Sequence, residues 1–478
     1  MPVSPARAAA FEILMRIETT DAYASEMLHA SRFAKLSPAD HGLLTELVMG
    51  VLRWRGVLDG KIAERYVRST AERMTSRKGP ALSPKKRETR TGHPADLSIR
   101  SVAKLDVEVL TALRLGAYQI LFLDRVPRHA AVNESVELVK TAHKRSAAGL
   151  VNAVLRKIER GPADLEGGAA HPAWLVERWA RIYGAETASK ICEYDQAAPR
   201  QAVRIAHAKA VELGSTGRAG MPVPTQVLDE LADEGIQLEP GRLLSSAFTV
   251  KSGDVTATKA FHERRISIQD EGSQLVALLV GNGKNILDCC AAPGGKTRIL
   301  AERNPEATVL AMDLHPQRAA LLRKLVTAEN VRVIAGDVRK MPVAGNFDRV
   351  LVDAPCSGTG TLARNPEIKW RLKPEDLLRL QEYQVEILRA AMKQVSRGGR
   401  IVYSTCSLEP EENEEVIQKA RAGEGSFRVV DCREAVGDLR CAGEFIWDGT
   451  DVLSGPYLRT IPGVHPCDGF FAAVMERG

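Results

Sequence analysis

The chain has 478 residues, of which 44% are hydrophobic and 26% charged, as is ordinary for a soluble globular protein of two or three domains. No apolar run approaches the length of a membrane span, and charged residues throughout the first thirty positions exclude a secretory signal, so we expect a cytoplasmic protein. Eight cysteines without a CxxC pair predict neither a disulfide framework nor a metal site.

The net charge of +6 is unevenly distributed. Residues 1–165 contain 27 Lys and Arg against 18 Asp and Glu, a net of +9, whereas the remainder contains 39 against 42, a net of −3. A basic N-terminal third is typical of a domain that holds a polyanion. The alternative is a solvated basic face that binds no ligand.

Residues 1–165 are predicted to be helical, because apolar residues recur at helical spacing. The predicted helices cover residues 6–17, 38–54, 107–123, 130–142 and 148–158. Between Arg68 and Arg100 lies a polar, basic insert that cannot bury much apolar area, so we expect it to be mobile. This insert either binds a phosphate backbone or is an insertion without a function.

A second region, residues 166–255, is predicted to join the helical domain to the main sheet. Residues 161–170 contain three glycines and one proline and predict a linker. A helix follows, with a buried face of Trp174, Leu175, Trp179 and Ile182. Residues 200–250 then mix strand-like pieces with one acidic helix, which indicates a small α/β module.

From Ile266 onward, strands and helices alternate, which predicts a parallel, doubly wound sheet in a third domain, residues 256–478. In such sheets ligands bind beyond the carboxyl ends of the strands. The stretch ILDCCAAPGGKT, residues 286–297, combines a strand end, a glycine turn and a helix start. It lacks the spacing of a dinucleotide site or of a phosphate loop, and many such turns bind nothing.

Four acids follow successive predicted strands: Asp288, Asp313, Asp337 and Asp353. A carboxylate after the second strand suits ribose hydroxyls, one after the third suits a purine amino group, and one after the fourth suits an ammonium or a substrate base. For any single aspartate, a turn or helix cap is the better interpretation. Four that converge on one crevice favour a nucleotide-like ligand.

Two further loops contribute thiols. Cys356 lies in VLVDAPCSGTG and Cys406 in IVYSTCSLEPEEN, each just after a predicted strand. A single cysteine is most often an inert core residue. One cysteine in each of two adjacent loops indicates nucleophilic catalysis, since the thiolate is the reactive species and loops hold it partly exposed.

Together these stretches resemble the Sun/Fmu (RsmB) family of RNA cytosine-5 methyltransferases, which use S-adenosylmethionine. The matching segments include IQDEGSQLVALL, ILDCCAAPGGKT, AMDLHPQRAALL, FDRVLVDAPCSGTGTLARNPEIKW and YSTCSLEPEENEEVI. The helical third is similar to the NusB-like RNA-binding domain of the same branch. The resemblance implies a Rossmann-like doubly wound methyltransferase sheet, preceded by an all-α NusB-like domain and the small α/β module.

The resemblance also implies site roles. The cofactor's methionine and ribose would contact the loop of Cys290, Ala291, Ala292, Pro293, Gly294, Gly295 and Lys296. Asp313 would bind the ribose, Asp337 the adenine side, and Asp353 would lie between cofactor and target base. Cys406 would be the nucleophile that adds to C6, and Cys356 would assist product release. DNA cytosine-5 methyltransferases use the cysteine of a Pro-Cys loop, so chemistry alone also allows Cys356 as nucleophile.

The partner implied is RNA, most simply small-subunit ribosomal RNA, bound by a monomer without a metal or a membrane. Three alternatives stay open: a transfer RNA target, methyl transfer to a base amino group or a protein side chain, and an RNA-binding assembly factor with a vestigial catalytic fold. A methyltransferase that acts on amino groups needs no nucleophilic cysteine.

Overall fold

A computed structural model describes residues 3–28, 30–33, 35–76, 102, 104–159, 167–206, 225–342 and 345–478. Residues 77–101 of the basic insert and residues 161–166 of the linker lie outside this range. The chain divides into two compact units. The helical unit comprises Met1–Ala197 and Leu362–Arg371, and the α/β unit comprises Ala198–Thr361 and Leu372–Gly478.

The helical unit contains α1 (Pro5–Thr19), α2 (Ala24–Leu28), α3 (Pro38–Ser76), α4 (Val107–Phe122), α5 (Arg128–Thr141), α6 (Ala148–Leu155), α7 (Ala173–Tyr183) and α8 (Ala185–Gln196). The helix α4 is its centre, because every residue from Thr111 to Ile120 is buried. A helix buried on all faces must pair its charges. The Arg114 guanidinium accordingly donates to both carboxylate oxygens of Asp59, at 2.7 and 2.8 Å, and to Glu18 at 3.1 Å.

Two details of the predicted helical region are wrong, and the linker at residues 161–170 stays a prediction. The helix α3 runs to Ser76, past the expected start of the insert at Arg68, because AERMTS contains good helix formers. Within the predicted linker, Gly167–Ala170 forms a 3₁₀ turn. Ile182 is 36% exposed, whereas Leu175 and Trp179 are fully buried. Ile182 lies in the last turn of α7, beyond which the chain turns away into α8.

The helices of the α/β unit are α9 (Thr225–Asp233), α10 (Lys259–His262), α11 (Glu271–Leu278), α12 (Gly295–Arg303), α13 (Pro316–Leu325), α15 (Pro374–Met392), α16 (Glu414–Arg421) and α17 (Cys432–Cys441); α14 (Ile368–Arg371) belongs to the helical unit. The strands are β1 (Ala202–Ile205), β2 (Gln237–Pro240), β3 (Ala247–Ser252), β4 (Ile266–Ile268), β5 (Asn285–Asp288), β6 (Thr308–Asp313), β7 (Val331–Ala335), β8 (Phe347–Asp353), β9 (Val395–Thr405), β10 (Phe427–Val430), β11 (Leu453–Ser454), β12 (Tyr457–Arg459) and β13 (Phe471–Arg477).

The predicted small module is a four-stranded antiparallel sheet in the order β2-β3-β1-β4. The Arg204 guanidinium of β1, only 3% exposed as a residue, forms an ion pair of 2.6 Å with Glu302 of α12. The helix that begins at the glycine turn is thereby attached to this module.

The main sheet has the order β11-β12-β13-β9-β8-β5-β6-β7, and β10 pairs with β13. Its five strands from β9 to β7 are parallel, as predicted, whereas β10 to β13 pair antiparallel and make the sheet mixed. The chain leaves β5 toward β6 on one side and later returns to β8 on the other. The carboxyl ends of β5, β6, β8 and β9 therefore border one crevice, where a doubly wound sheet binds its ligand.

Candidate active site

The glycine turn follows β5 and ends at α12. Gly294 has a φ of 114°, and a Cβ atom there would lie 2.5 Å from the Val326 side chain, so only glycine fits. The Ala292–Pro293 peptide bond is cis. The turn delivers the free N–H groups of a nine-residue helix to the edge of the crevice, where they favour a negatively charged group.

Asp313 ends β6 beside this turn and is 4% exposed. Its Oδ1 atom accepts from the His315 backbone N–H at 3.0 Å. Arg318 links the two features: its Nη2 donates to the Ala292 carbonyl at 2.9 Å, and its Nε lies 3.8 Å from Asp313 Oδ2. A glycine turn, helix N–H groups and a carboxylate at the next strand end suit the methionine and ribose of S-adenosylmethionine. The sequence interpretation did not include Arg318.

Asp337 lies after β7 and caps the short turn Val338–Lys340. It accepts from the Arg339 backbone N–H at 3.0 Å and forms an ion pair of 2.8 Å with the Arg339 guanidinium. The hydrogen bond from Arg339 lowers the pKa of Asp337 and keeps it ionised. An adenine amino group would therefore share this carboxylate with Arg339.

Asp353 ends β8 in the middle of the crevice and is held from two sides. Its Oδ2 accepts from Lys296 Nζ at 2.7 Å, and its Oδ1 accepts from Ser404 Oγ at 2.9 Å. Burial opposes the charge of Lys296, but the charge of Asp353 and their hydrogen bond outweigh burial and raise the lysine pKa. The ammonium lies 5.4 Å from the centre of the Phe470 ring. The ammonium thus stays charged, and Lys296 and Ser404 together orient the carboxylate.

The two thiols of the adjacent loops meet. Cys356 Sγ lies 3.3 Å from Cys406 Sγ, and both residues are partly exposed. The hydrogen bond to Cys406, reinforced by burial, raises the pKa of the Cys356 thiol, so Cys356 keeps its proton. The charge of Lys296 interacts with Cys406 as well. One crevice therefore contains the partly exposed Cys406 beside a protonated thiol, a carboxylate and an ammonium.

The cysteines of the glycine turn are different. Cys289 is buried, and burial raises the pKa of both Cys289 and Cys290. Such thiols are poor nucleophiles at neutral pH. Among the residues that the structure describes, no group of three or more His, Cys, Asp or Glu could hold a metal ion. Over the same range, no helix is both long and apolar enough to cross a membrane.

The sequence analysis assigned no role to Ser404 or Glu412, although both lie in the segment YSTCSLEPEENEEVI. Ser404 precedes Cys406 by two residues and orients Asp353. Glu412 follows Cys406 by six residues, and its buried carboxylate accepts from the Ser357 N–H at 2.8 Å. A hydroxyl or carboxylate close to a reactive loop is a weak sequence signal, because most such groups face solvent.

Two family models match the chain. Residues 275–476 match the 16S rRNA methyltransferase RsmB/F model, and residues 4–78 and 95–160 match the NusB family. A curated relative from Bacillus subtilis (strain 168), described as "Probable ribosomal RNA small subunit methyltransferase B", is 34% identical over 100% of both chains.

Two solved structures are similar in fold. The crystal structure of PH0851 has a TM-score of 0.73 at 22% identity and covers 100% of both chains. The structure of NSun6 from Pyrococcus horikoshii with SFG has a TM-score of 0.52 at 19% identity, covering 64% of this chain and 98% of that one. The predicted order of an all-helical NusB domain followed by a Rossmann-like sheet is confirmed.

Proposed function

The chain belongs to the RsmB/F family of 16S rRNA methyltransferases, and on that premise we propose that it methylates C5 of a cytosine in small-subunit ribosomal RNA, through a covalent bond between Cys406 and C6. The methyl donor of this family is S-adenosylmethionine. The observation that supports the proposal most strongly is the 3.3 Å approach of two thiols at the strand ends, one of them held as a proton donor.

The chemistry requires a nucleophile because C5 of cytosine is itself a weak one. The Cys406 thiolate adds to C6, a C–S bond forms, and the C5=C6 electron pair moves onto C5 while charge shifts toward N3. Asp353 hydrogen-bonds the base edge and keeps the ring in place. When bound, S-adenosylmethionine supplies a methyl group on a positively charged sulfur, which the electron-rich C5 accepts.

Release reverses the first step. The C5 proton leaves, its electron pair restores the C5=C6 bond, and the bond between C6 and Cys406 breaks to return the thiolate. We propose that water accepts the C5 proton and that Cys356, which keeps its own proton, hydrogen-bonds the departing thiolate of Cys406. We propose that Lys296 holds Asp353 and that the turn from Cys290 to Gly295, with Asp313 and Asp337, holds the cofactor.

The target base must be unpaired or flipped out before a thiol reaches C6. We propose that the basic residues 1–165 hold flanking RNA through phosphate contacts and shape, and that the enzyme acts in the cytoplasm as a monomer.

The assignment of the thiols is tested with two variants, using ribosomal RNA from a strain that lacks this protein. We expect Cys406→Ala to abolish methyl transfer and to form no adduct. We expect Cys356→Ala to accumulate RNA covalently bound to Cys406, which denaturing gel electrophoresis detects. The exposed Cys441→Ala is the matched control and should match wild type.

The reverse pattern would assign Cys356 as the nucleophile. An active Cys406→Ser variant would instead contradict cytosine C5 chemistry and favour transfer to an amino group. Mapping 5-methylcytosine in ribosomal and transfer RNA after gene deletion identifies the substrate, and a site lost from transfer RNA alone would contradict the ribosomal assignment.

A further inference from the structure

A serine follows each of the two thiols, and one buried carboxylate holds both serines. Glu412 is 0% exposed. Its Oε1 accepts from the Ser357 backbone N–H at 2.8 Å, and its Oε2 accepts from the hydroxyls of Ser357 and Ser407. The two hydroxyl oxygens lie 3.1 Å apart. Residues next to Cys356 and Cys406 therefore meet at one acceptor.

Gln384 of α15 completes this arrangement. Its Nε2 donates to Glu412 Oε1 at 2.9 Å and to the Pro355 carbonyl at 2.9 Å. On either side of Cys356, Pro355 is thus hydrogen-bonded to Gln384 and Ser357 to Glu412. Four donors occupy the carboxylate, which matches the number of its acceptor sites. Burial raises the pKa of Glu412, and the hydrogen bonds from Ser357, Ser407 and Gln384 oppose that rise.

Three further hydrogen bonds hold the loop that contains Cys406, and two of them involve Glu412 or its neighbour Asn413. The Tyr403 hydroxyl donates to the Glu412 carbonyl at 2.7 Å, and Asn413 Nδ2 donates to the Ser407 carbonyl at 2.9 Å. The Gly360 N–H, from the loop that contains Cys356, donates to the Cys406 carbonyl at 2.9 Å. Movement of Glu412 would therefore displace both loops together.

We infer that Glu412 is a positioning residue for methyl transfer, which sets the separation between the sulfur atoms of Cys356 and Cys406. The inference rests on the proposed function, because it takes these thiols as the reacting groups. Glu412 touches neither sulfur and acts through the two serines. A displacement of about 1 Å in a reactive group costs on the order of 100-fold in rate.

The first test separates turnover from binding. We expect Glu412→Ala to lower kcat by about 100-fold, while KM for both substrates changes by less than about threefold. Glu412→Gln should stay within about tenfold of wild type, because its carbonyl still accepts from two N–H groups and its amide donates to the serine hydroxyls. A merely structural loss would lower the active fraction and leave the kcat per folded molecule unchanged.

Glu271 provides the matched control. It is another buried carboxylate of the α/β unit, which accepts from three backbone N–H groups of residues 242–244 at 2.8–3.2 Å. Glu271→Ala removes a comparable hydrogen-bonded acid whose backbone partners, residues 242–244, lie in neither thiol loop. At equal folded fraction, judged by circular dichroism and thermal unfolding, we expect its kcat to stay within about threefold of wild type.

A second measurement needs no RNA and no cofactor. Phenylarsine oxide binds tightly only when two thiols lie close enough to share one arsenic atom. We expect wild type and Cys441→Ala to bind it equally, Cys406→Ser to lose binding, and Glu412→Ala to weaken it by at least about tenfold. Unchanged kcat and unchanged arsenical affinity in folded Glu412→Ala would overturn the inference. A wild-type enzyme that methylates no cytosine would overturn the proposed function, and the arsenical titration would still decide the role of Glu412.

Discussion

Asp288 ends β5 directly beneath the glycine turn and is 1% exposed. Burial, with a smaller contribution from the charge of Asp353, raises its pKa to about 7, against the opposing effect of the Thr297 hydroxyl, which donates to it at 2.7 Å. This carboxyl group therefore stays protonated in the folded chain at pH values where the unfolded chain has lost the proton.

The stability of the α/β unit should depend on pH through Asp288. Its contribution is fully present below the unfolded pKa of about 4 and is lost as pH rises through about 7, because the folded state binds the extra proton. Relative to Asp288→Asn, the free energy of unfolding of wild type should fall by up to about 4 kcal/mol across that window. Urea unfolding at a series of pH values measures the difference.

Thr297→Val provides a companion variant. It removes a hydrogen bond that favours the ionised form, so the loss of stability should extend to higher pH than in wild type. Parallel curves for wild type and Asp288→Asn would show that Asp288 has the same pKa in the folded and unfolded states.

Single residues show where sequence reasoning succeeds. Cys356, Cys406 and the four aspartates were predicted to converge because parallel strands end at one edge, and the structure brings Cys356 to within 3.3 Å of Cys406. Glu412 and Arg318 were missed, since each holds a loop that is distant in sequence, through Ser357 at 55 residues and Ala292 at 26 residues, and no local pattern marks such a pair. The roles of these residues stay predictions.

At the scale of elements, the segment Leu362–Arg371 packs into the helical unit although its neighbours in sequence belong to the α/β unit. The Trp370 indole donates to the Leu52 carbonyl at 2.7 Å, and the Arg55 guanidinium lies 5.4 Å from its ring centre. Glu367 accepts from the Ala24 N–H at 2.9 Å, and Lys369 donates to the Arg53 carbonyl at 3.1 Å. The helical unit is thus completed by a distant part of the chain.

Two substitutions of Trp370 should separate the contribution of its hydrogen bond to stability from the contribution of its ring packing. Trp370→Phe keeps an aromatic ring but loses the indole hydrogen bond, and should destabilise the helical unit by about 1 kcal/mol. Trp370→Ala also loses the packing and should cost about 2–4 kcal/mol. Native-state hydrogen exchange of amides in α3 reports the free energy of opening. Equal values for both variants would show that packing of the ring contributes nothing.

Elements were predicted best where periodicity is strong. The helices of residues 1–165 follow from apolar residues at helical spacing, and the parallel strands follow from short apolar runs between helices. The short antiparallel strands β11 and β12 have too few residues for a recognisable alternation. The extension of α3 to Ser76 was missed because polar residues that favour helix resemble those of a loop.

At the scale of the whole molecule, the positive charge of residues 1–165 should govern RNA affinity. Arg125 and Arg128 are exposed at the start of α5, and Arg128 donates to the Arg156 carbonyl. We expect Arg125→Glu with Arg128→Glu to weaken RNA binding and to reduce the slope of log Kd against log salt by about 1.5–2, the loss of two phosphate contacts. Fluorescence anisotropy with a labelled RNA fragment measures both.

The control carries the same change of charge elsewhere. Lys393→Glu with Arg397→Glu alters two exposed cations near the amino end of β9, the end of the sheet away from the thiols. This variant should keep the slope of wild type. An equal effect from both pairs would mean that net charge alone, and not a site in the basic third, determines affinity.

Apolar spacing and the alternation of strands with helices predicted the order of a helical third and an α/β sheet, because each class has its own residue pattern. They did not predict that NPEIKWR leaves the catalytic half, since apolar and charged residues of that kind suit either unit equally well. Only the pairing of specific backbone groups decides where such a segment packs.

Because residues 362–371 belong to the helical unit, a single cut in the chain does not separate the two units. A fragment that encodes residues 1–197 alone lacks Trp370 and Lys369, and so loses the side-chain hydrogen bonds to the Leu52 and Arg53 carbonyls of α3. We expect a chimera of two relatives to fold stably only when residues 362–371 come from the same relative as residues 1–197.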